Sequence, residues 1–258
     1  MNEALASKQR YNRKEVLLLA SGGLLSLIAV SCGGRPKERQ PALENIPQPE
    51  KYPQHRVVAT IFYVGESASA SNGYIDNIST AWEDDARIQF GGVDDPDRRN
   101  AEGVPADFRP KENPFYVALP ASEFNKRGLI PGAREMSPWA KEAVTFQENR
   151  SLFKGRWVGV KNPENGVVVY GQWLDTGPSD DPSDARDYQY VFGDSSAKPK
   201  NSFGLKAGID VSPAMTHQLG FDIAKGGIEV IWQFVDSQDV PDGPWKDFPE
   251  IDNRTYWN

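Results

Sequence analysis

A chain of 258 residues, 38% hydrophobic and 11% aromatic, is long enough to bury one substantial core. Its net charge of −7 argues against the basic face that phosphate binding needs, so nucleic acid is not an expected partner. A single cysteine and two histidines exclude a disulfide framework within the chain and argue against a Cys/His zinc site, so neither a metal nor a cofactor is expected.

The amino terminus reads as an address. Lys8, Arg10, Arg13 and Lys14 precede an apolar stretch, Val16 to Val30, too short and too rich in Gly and Ser to span a membrane. It ends in "AVSC", with the only cysteine at Cys32. Residues 1–32 resemble a bacterial lipoprotein signal, with Ala29, Val30 and Ser31 in the lipobox. The resemblance implies that Cys32 is lipidated, as by palmitate, and anchors the protein to a membrane of the cell envelope. Removal of residues 1–31 leaves 25 basic against 34 acidic residues, a balance of −9. Such a surface does not seek anionic lipid, so the acyl chains would do the anchoring. Residues 33–55 carry five prolines and little apolar content, and read as a tether.

From Val57 the pattern changes. "VVATIFYV" (57–64) is β-branched and aromatic, a strand. A Gly-rich polar segment and a long turn-rich stretch follow, and "PFYVALP" (114–120) predicts a short buried strand. Residues 137–147 predict a helix, with Ser137 as N-cap and Pro138 at its first position. Residues 155–175 predict a β-hairpin whose turn, "NPENG", supplies Asn-Gly for positive φ. "AGIDVSPAMTHQLGF" (207–221) predicts a strand and then a helix capped by Ser212, with Pro213 at N1. "GGIEVIWQFVD" (226–236) predicts the last strand, and residues 237–258 an irregular extension packed on the barrel. His217 falls in a helix and has no expected role beyond it.

In chain order, "ATIFYVG", "VKNPENGVVVYGQWLDTGP", "GIDVSPAMTHQLG" and "GGIEVIWQFV" resemble the landmarks of double-psi β-barrels of the rare-lipoprotein-A type. Expansins and membrane-bound lytic transglycosylase A are similar in fold. The resemblance covers 57–66 and 155–236. It implies a mainly β chain, with residues 56–236 forming a six-stranded double-psi barrel with long insertions and one or two short helices. It also implies a cell-wall glycan, most often peptidoglycan, as partner, and one or two aspartates that act as acid and base. Asp175 matches the aspartate of Asp-x-Gly-Pro and Asp210 that of Ile-Asp-Leu-Ser, the foremost catalytic position. Asp187, inside an insertion the barrels lack, is a rival for the second acid, and Glu66 corresponds to an acid near their first loop. Tyr116 stands where those barrels carry a histidine.

A general acid near neutral pH needs a raised pKa, from burial or from a second carboxylate. Asp175 and Asp210, each at the end of an apolar strand, are placed to meet at a barrel mouth. Trp157, Trp173 and Trp232 lie in strands and are expected in the core, while Trp82 and Trp245, in loops, are expected to stack sugars. Tyr63 and Tyr116 are expected as groove hydroxyls. The acidic runs "DDPDRR" (94–99) and "DDPSDARD" (180–187) lack Ca²⁺-loop spacing and are expected to be solvated. The expected activity is cleavage of a wall glycan by a lytic transglycosylase or glycosidase with Asp210 as acid/base. The alternatives are a non-catalytic glycan-binding or wall-loosening module, or a structural envelope protein.

Overall fold

The computed structural model describes residues 52–69, 76–145, 149–181, 184–202, 205–222 and 226–256. The signal segment with Cys32 and all but the last residues of the tether lie outside the described residues. Among those described, no helix is long and apolar enough to cross a membrane.

The chain is mainly β. In chain order its elements are β1 (His55–Ile61), α1 (Ala86–Phe90), β2 (Tyr116–Leu119), β3 (Phe124–Asn125), β4 (Gly128–Leu129), β5 (Trp157–Lys161), β6 (Val168–Thr176), α2 (Tyr188–Phe192), β7 (Ile209–Val211), α3 (Pro213–Leu219) and β8 (Ile228–Val235). Six strands close into a mixed barrel in the order β1-β7-β2-β6-β5-β8, and β3 and β4 pair separately. The β1–β7 and β2–β6 contacts are parallel, and the other four are antiparallel. Closure removes every sheet edge among these strands, so no row of backbone donors is left unpaired.

Register separates two faces, because residues opposed on neighbouring strands point the same way. Val57, Val117, Val158, Val160, Trp173, Ile209, Val211, Val230, Trp232 and Phe234 share the inner face and belong to one buried cluster. A second, smaller cluster lies outside the barrel, where Phe62, Val64, Ala86, Phe90, Tyr116, Ala118 and Leu174 pack together. The long β1–β2 connection supplies it and so roofs the outer face of β2 and β6.

Local chemistry accounts for most boundaries. The hairpin turn closes with Gly166 at φ +77°, as Asn-Gly predicts. In α3 the Ser212 hydroxyl accepts the Met215 N–H, Pro213 sits in the first turn, and Gly220 at φ +70° ends the helix. The helix expected over 137–147 is instead a 3₁₀ segment, Ala140–Thr145. The reason is local: Ser137 Oγ donates back to the Arg134 carbonyl, and the Ala140 N–H bonds the Ser137 carbonyl, an i→i+3 step that tightens the turn.

Candidate functional site

The strand order builds the site. Asp210 on β7 lies opposite Thr60 of β1 on one side and Ala118 of β2 on the other. Asp175 of β6 lies opposite the same Ala118, because a register shift between Val117 and Ala118 realigns β6 there. Thr60, Asp210, Ala118 and Asp175 therefore form one row across four strands on the outer face. Two interstrand steps separate the aspartates, about 9.5 Å between their backbones. Ala118 between them carries only a methyl group. Gly177 backs the pair: a Cβ added there would stand 3.1 Å from Asp210 Oδ2 and 3.9 Å from the Ala118 Cβ.

The two carboxyls differ in their surroundings. Asp175 is 6% exposed, and its Oδ1 accepts the Thr176 N–H at 2.7 Å and the Ala81 N–H at 3.1 Å. Burial pushes its pKa up to about 8, the two backbone donors oppose this, and Glu83 and Asp210 add to it. Asp210 is half-buried, and Thr60 Oγ1 donates to its Oδ1. Burial raises its pKa to about 7, against the Thr60 hydrogen bond and with help from Glu66. Asp210 is thus the more open acid, and Asp175 stands behind it. Near neutral pH such a pair retains a proton that an isolated aspartate would have lost.

Glu66 belongs to the same electrostatic neighbourhood. Its Oε2 accepts from Asn77 Nδ2 at 2.7 Å, and its charge bears on both Asp210 and Tyr63. Tyr63 is half-buried at the edge of this region, its pKa raised by burial and then by Glu66, Asp95 and Asp97.

Asp187 stands apart. It opens α2, is 7% exposed, and accepts the Lys200 N–H at 2.8 Å, so its carboxylate serves the insertion's own loop. The rest of that acidic run is likewise engaged locally, with Asp180 on the Ser202 N–H and Asp184 on Arg186. Among the described residues, no group of three or more His, Cys, Asp or Glu is placed to hold a metal ion.

Several expected groove residues lie inside the protein. Trp82 is fully buried, edge-on to Trp173 at 6.0 Å, so neither ring face is open to a sugar. Trp245 is 8% exposed and packs on Tyr170 at 5.2 Å, its Nε1 donating to the Pro241 carbonyl. Tyr116 is fully buried: its hydroxyl donates to Asp94 Oδ2 at 2.6 Å and accepts the Val64 N–H at 3.0 Å. The run "DDPDRR" is correspondingly not a solvated loop at its first residue. Asp94 is fully buried, pairs with Arg99 Nη1 at 2.6 Å, and pins the β1–β2 connection to β2 through Tyr116. Burying a carboxylate is tolerated here because a cation and a phenol satisfy it.

Three contributors escape the sequence reading. Thr60 carries a legible signal, a hydroxyl amid the apolar run Val57–Ile61 of β1. The Ala81 N–H carries none, since it is a backbone group delivered by a loop. The third is a buried cluster of Glu83, Glu112 and Lys154 beside that loop. A separate cleft of about 620 Å³ is lined by Trp139, Arg156, Trp157, Gln172, Asp236 and Asp252 among others. Gln172 lies three residues before Asp175 on β6, so this cleft and the acid pair occupy different stretches of one strand.

The chain matches no known protein-family model and no curated protein sequence.

Proposed function

We propose that the protein is an envelope lipoprotein that cleaves a cell-wall glycan, with Asp210 as the general acid/base and Asp175 as its buried partner. The observation that carries this reading is the pair itself: two aspartates on either side of Ala118, both held partly protonated near neutral pH by burial. A closed six-stranded mixed barrel is compatible with the double-psi group that the sequence resembles, and supports the reading.

The unequal exposure of the two acids favours one chemistry. A hydrolase of the two-carboxylate type needs both groups to reach the scissile bond or the water beside it. Asp175, at 6% exposure, does not present itself to a polymer. A lytic transglycosylase needs one acid/base, because the 6-hydroxyl of the sugar attacks its own anomeric carbon. Asp210 would protonate the departing glycosidic oxygen and then accept the proton of the attacking hydroxyl, which leaves a 1,6-anhydro end. Thr60 orients the carboxyl, and burial, with help from Glu66, keeps its pKa high. The six described tryptophans, Trp82, Trp139, Trp157, Trp173, Trp232 and Trp245, are all buried, an arrangement that does not favour a flat aromatic platform. Lipidation at Cys32 would hold the enzyme against its insoluble substrate.

The test is incubation of purified protein with peptidoglycan and with a β-glucan panel, with released fragments read by mass spectrometry. Anhydro-ended fragments are expected, with a rate that falls as pH rises past about 7, where Asp210 loses its proton. Asp210→Asn is expected to reduce release by about 10²–10⁴-fold. Equal binding to the wall by both proteins, with no release by either, would establish the non-catalytic binding module instead. Labelling with an alkynyl palmitate analogue, lost in Cys32→Ser, checks the anchor.

A further inference from the structure

The Ala81 N–H that meets Asp175 belongs to a turn, residues 80–84, that is clamped from several sides. Thr80 and Glu83 bridge each other within it. The carboxy-terminal strap holds it from outside, since the Tyr256 N–H donates to the Trp82 carbonyl at 2.7 Å and the Asp84 N–H to the Tyr256 carbonyl at 3.2 Å. From inside, Lys154 Nζ pairs with Glu83 Oε1, and both side chains are almost wholly excluded from water. The same ammonium lies 3.8 Å from Glu112 Oε1 and 5.4 Å from the centre of the Tyr256 ring. Glu112 Oε1 in turn accepts the Asp252 N–H at 3.2 Å. One buried cation thus joins the turn, the lead into β2 and the strap.

Two features make this cluster more than a fold staple. A buried ion pair gives little net stability over an apolar replacement, and this one is imperfect: Glu83 Oε2 and Glu112 Oε2 are buried without a hydrogen-bond partner. The cluster also bears on the acid pair in two ways, through the Ala81 N–H two residues from Glu83 and through the Glu83 charge facing Asp175.

We propose that Lys154 is a positioning residue for the acid pair: by pinning Glu83 it holds the turn, and with it the Ala81 N–H, on Asp175. The inference rests on the acid-pair reading of the groove. Asp175 is faced by Asp210 from β7 and by Glu83 from the turn. Glu83 is faced by Lys154 and Asp252, and Glu112 by Lys154, Glu83 and Asp252. Without Lys154 the turn loosens and the Ala81 N–H is no longer held on Asp175, which disfavours ionised Asp175. Asp175 then binds its proton more tightly.

The experiment is a carboxyl-carbon NMR titration of the full chain labelled at Asp, assigned with Asp175→Asn and Asp210→Asn. In Lys154→Met the Asp175 midpoint is expected to rise by about one unit, a tenfold gain in proton affinity. Ala81 amide exchange should quicken, and Lys154→Arg should restore both. If Lys154→Met does not fold, Tyr256→Pro, which deletes the N–H bound to the Trp82 carbonyl together with the ring beside Lys154, is expected to raise the midpoint in the same direction. An unmoved Asp175 midpoint in the folded variant overturns the proposal. The titration needs no substrate, so its failure is distinct from failure of the glycan reading, which would show as wall cleavage undiminished in Asp210→Asn.

Discussion

The two faces of one barrel obey different rules. The inner face is packed with aliphatic and aromatic side chains: Phe153 stacks on Trp173 at 5.2 Å, Trp139 meets Phe234 at 5.0 Å, and Trp232 meets Phe234 at 5.3 Å. The outer face of the same strands, roofed by the β1–β2 connection and the strap, buries Asp94, Asp175, Glu83, Glu112 and Lys154. A sheet presents alternate residues to its two sides, so a single strand serves both. Trp173 fills the core, and Asp175, realigned by the shift in register, enters the acid row. The inside holds the fold together and, His55 apart, is largely indifferent to pH. The outside keeps ionisable groups at a cost in stability, which is where function is expected to be retained.

The largest effect should come from the inner face. Trp232→Ala is expected to cost roughly 3–5 kcal/mol in urea unfolding, whereas Asp210→Asn should leave stability nearly unchanged at pH 5 while removing activity. Comparable losses from the two would erase the distinction between the faces.

The next effect is a pH slope on the outer face. Asp175 has a folded pKa raised to about 8, so the unfolded chain releases this proton first and stability falls as pH rises from about 4 to about 8. Asp175→Asn is therefore expected to gain roughly 2 kcal/mol over wild type at pH 8 and almost nothing at pH 4, measured by thermal unfolding across that range. A constant offset at both pH values would contradict this.

His55 supplies an opposite slope on the inner face. It lies 4.7 Å from Trp232 and 5.1 Å from Tyr190, with neither ring nitrogen hydrogen-bonded, and burial, with help from Lys198, depresses its pKa to about 4 against the pull of Asp194. Its contribution is intact above about 6.5 and is lost as pH falls toward 4. His55→Leu should flatten the acid limb by roughly 1 kcal/mol between pH 7 and pH 4.5. The smallest effect is expected at the exposed Arg56–Glu229 pair, where Arg56→Ala should change stability by under about 0.5 kcal/mol and less still in high salt.

Much of the barrel was legible beforehand. The strand expected at 57–64 overlaps β1 and the hairpin expected at 155–175 overlaps β5 and β6, the segments 114–120, 207–221 and 226–236 contain β2, β7 and β8, and α3 follows its Ser212 cap, Pro213 and Gly220. Two short helices were missed for different reasons. Before α1 the Asp85 side chain accepts the Arg87 N–H, and Gly91 at φ +99° ends the helix, so its signals were present. In α2 the Asp187 side chain makes no capping bond, and five residues are too few to form a helix without packing against the barrel. The loop aromatics misled for a related reason. Trp82 sits in a turn that β-strap contacts bury, and nothing in its neighbours along the chain announces that.

The sequence by itself determined the strands, the hairpin turn, the caps of α3 and the placing of Asp175 and Asp210 at strand positions, because alternation and turn chemistry act over a few residues. Only the tertiary structure decided that both aspartates flank Ala118, that Thr60 and the Ala81 N–H are their partners, and that Lys154 stands behind that turn. Those contacts join segments far apart in the chain, and barrel closure and desolvation, which set both proximity and proton affinity, do not exist until the segments meet.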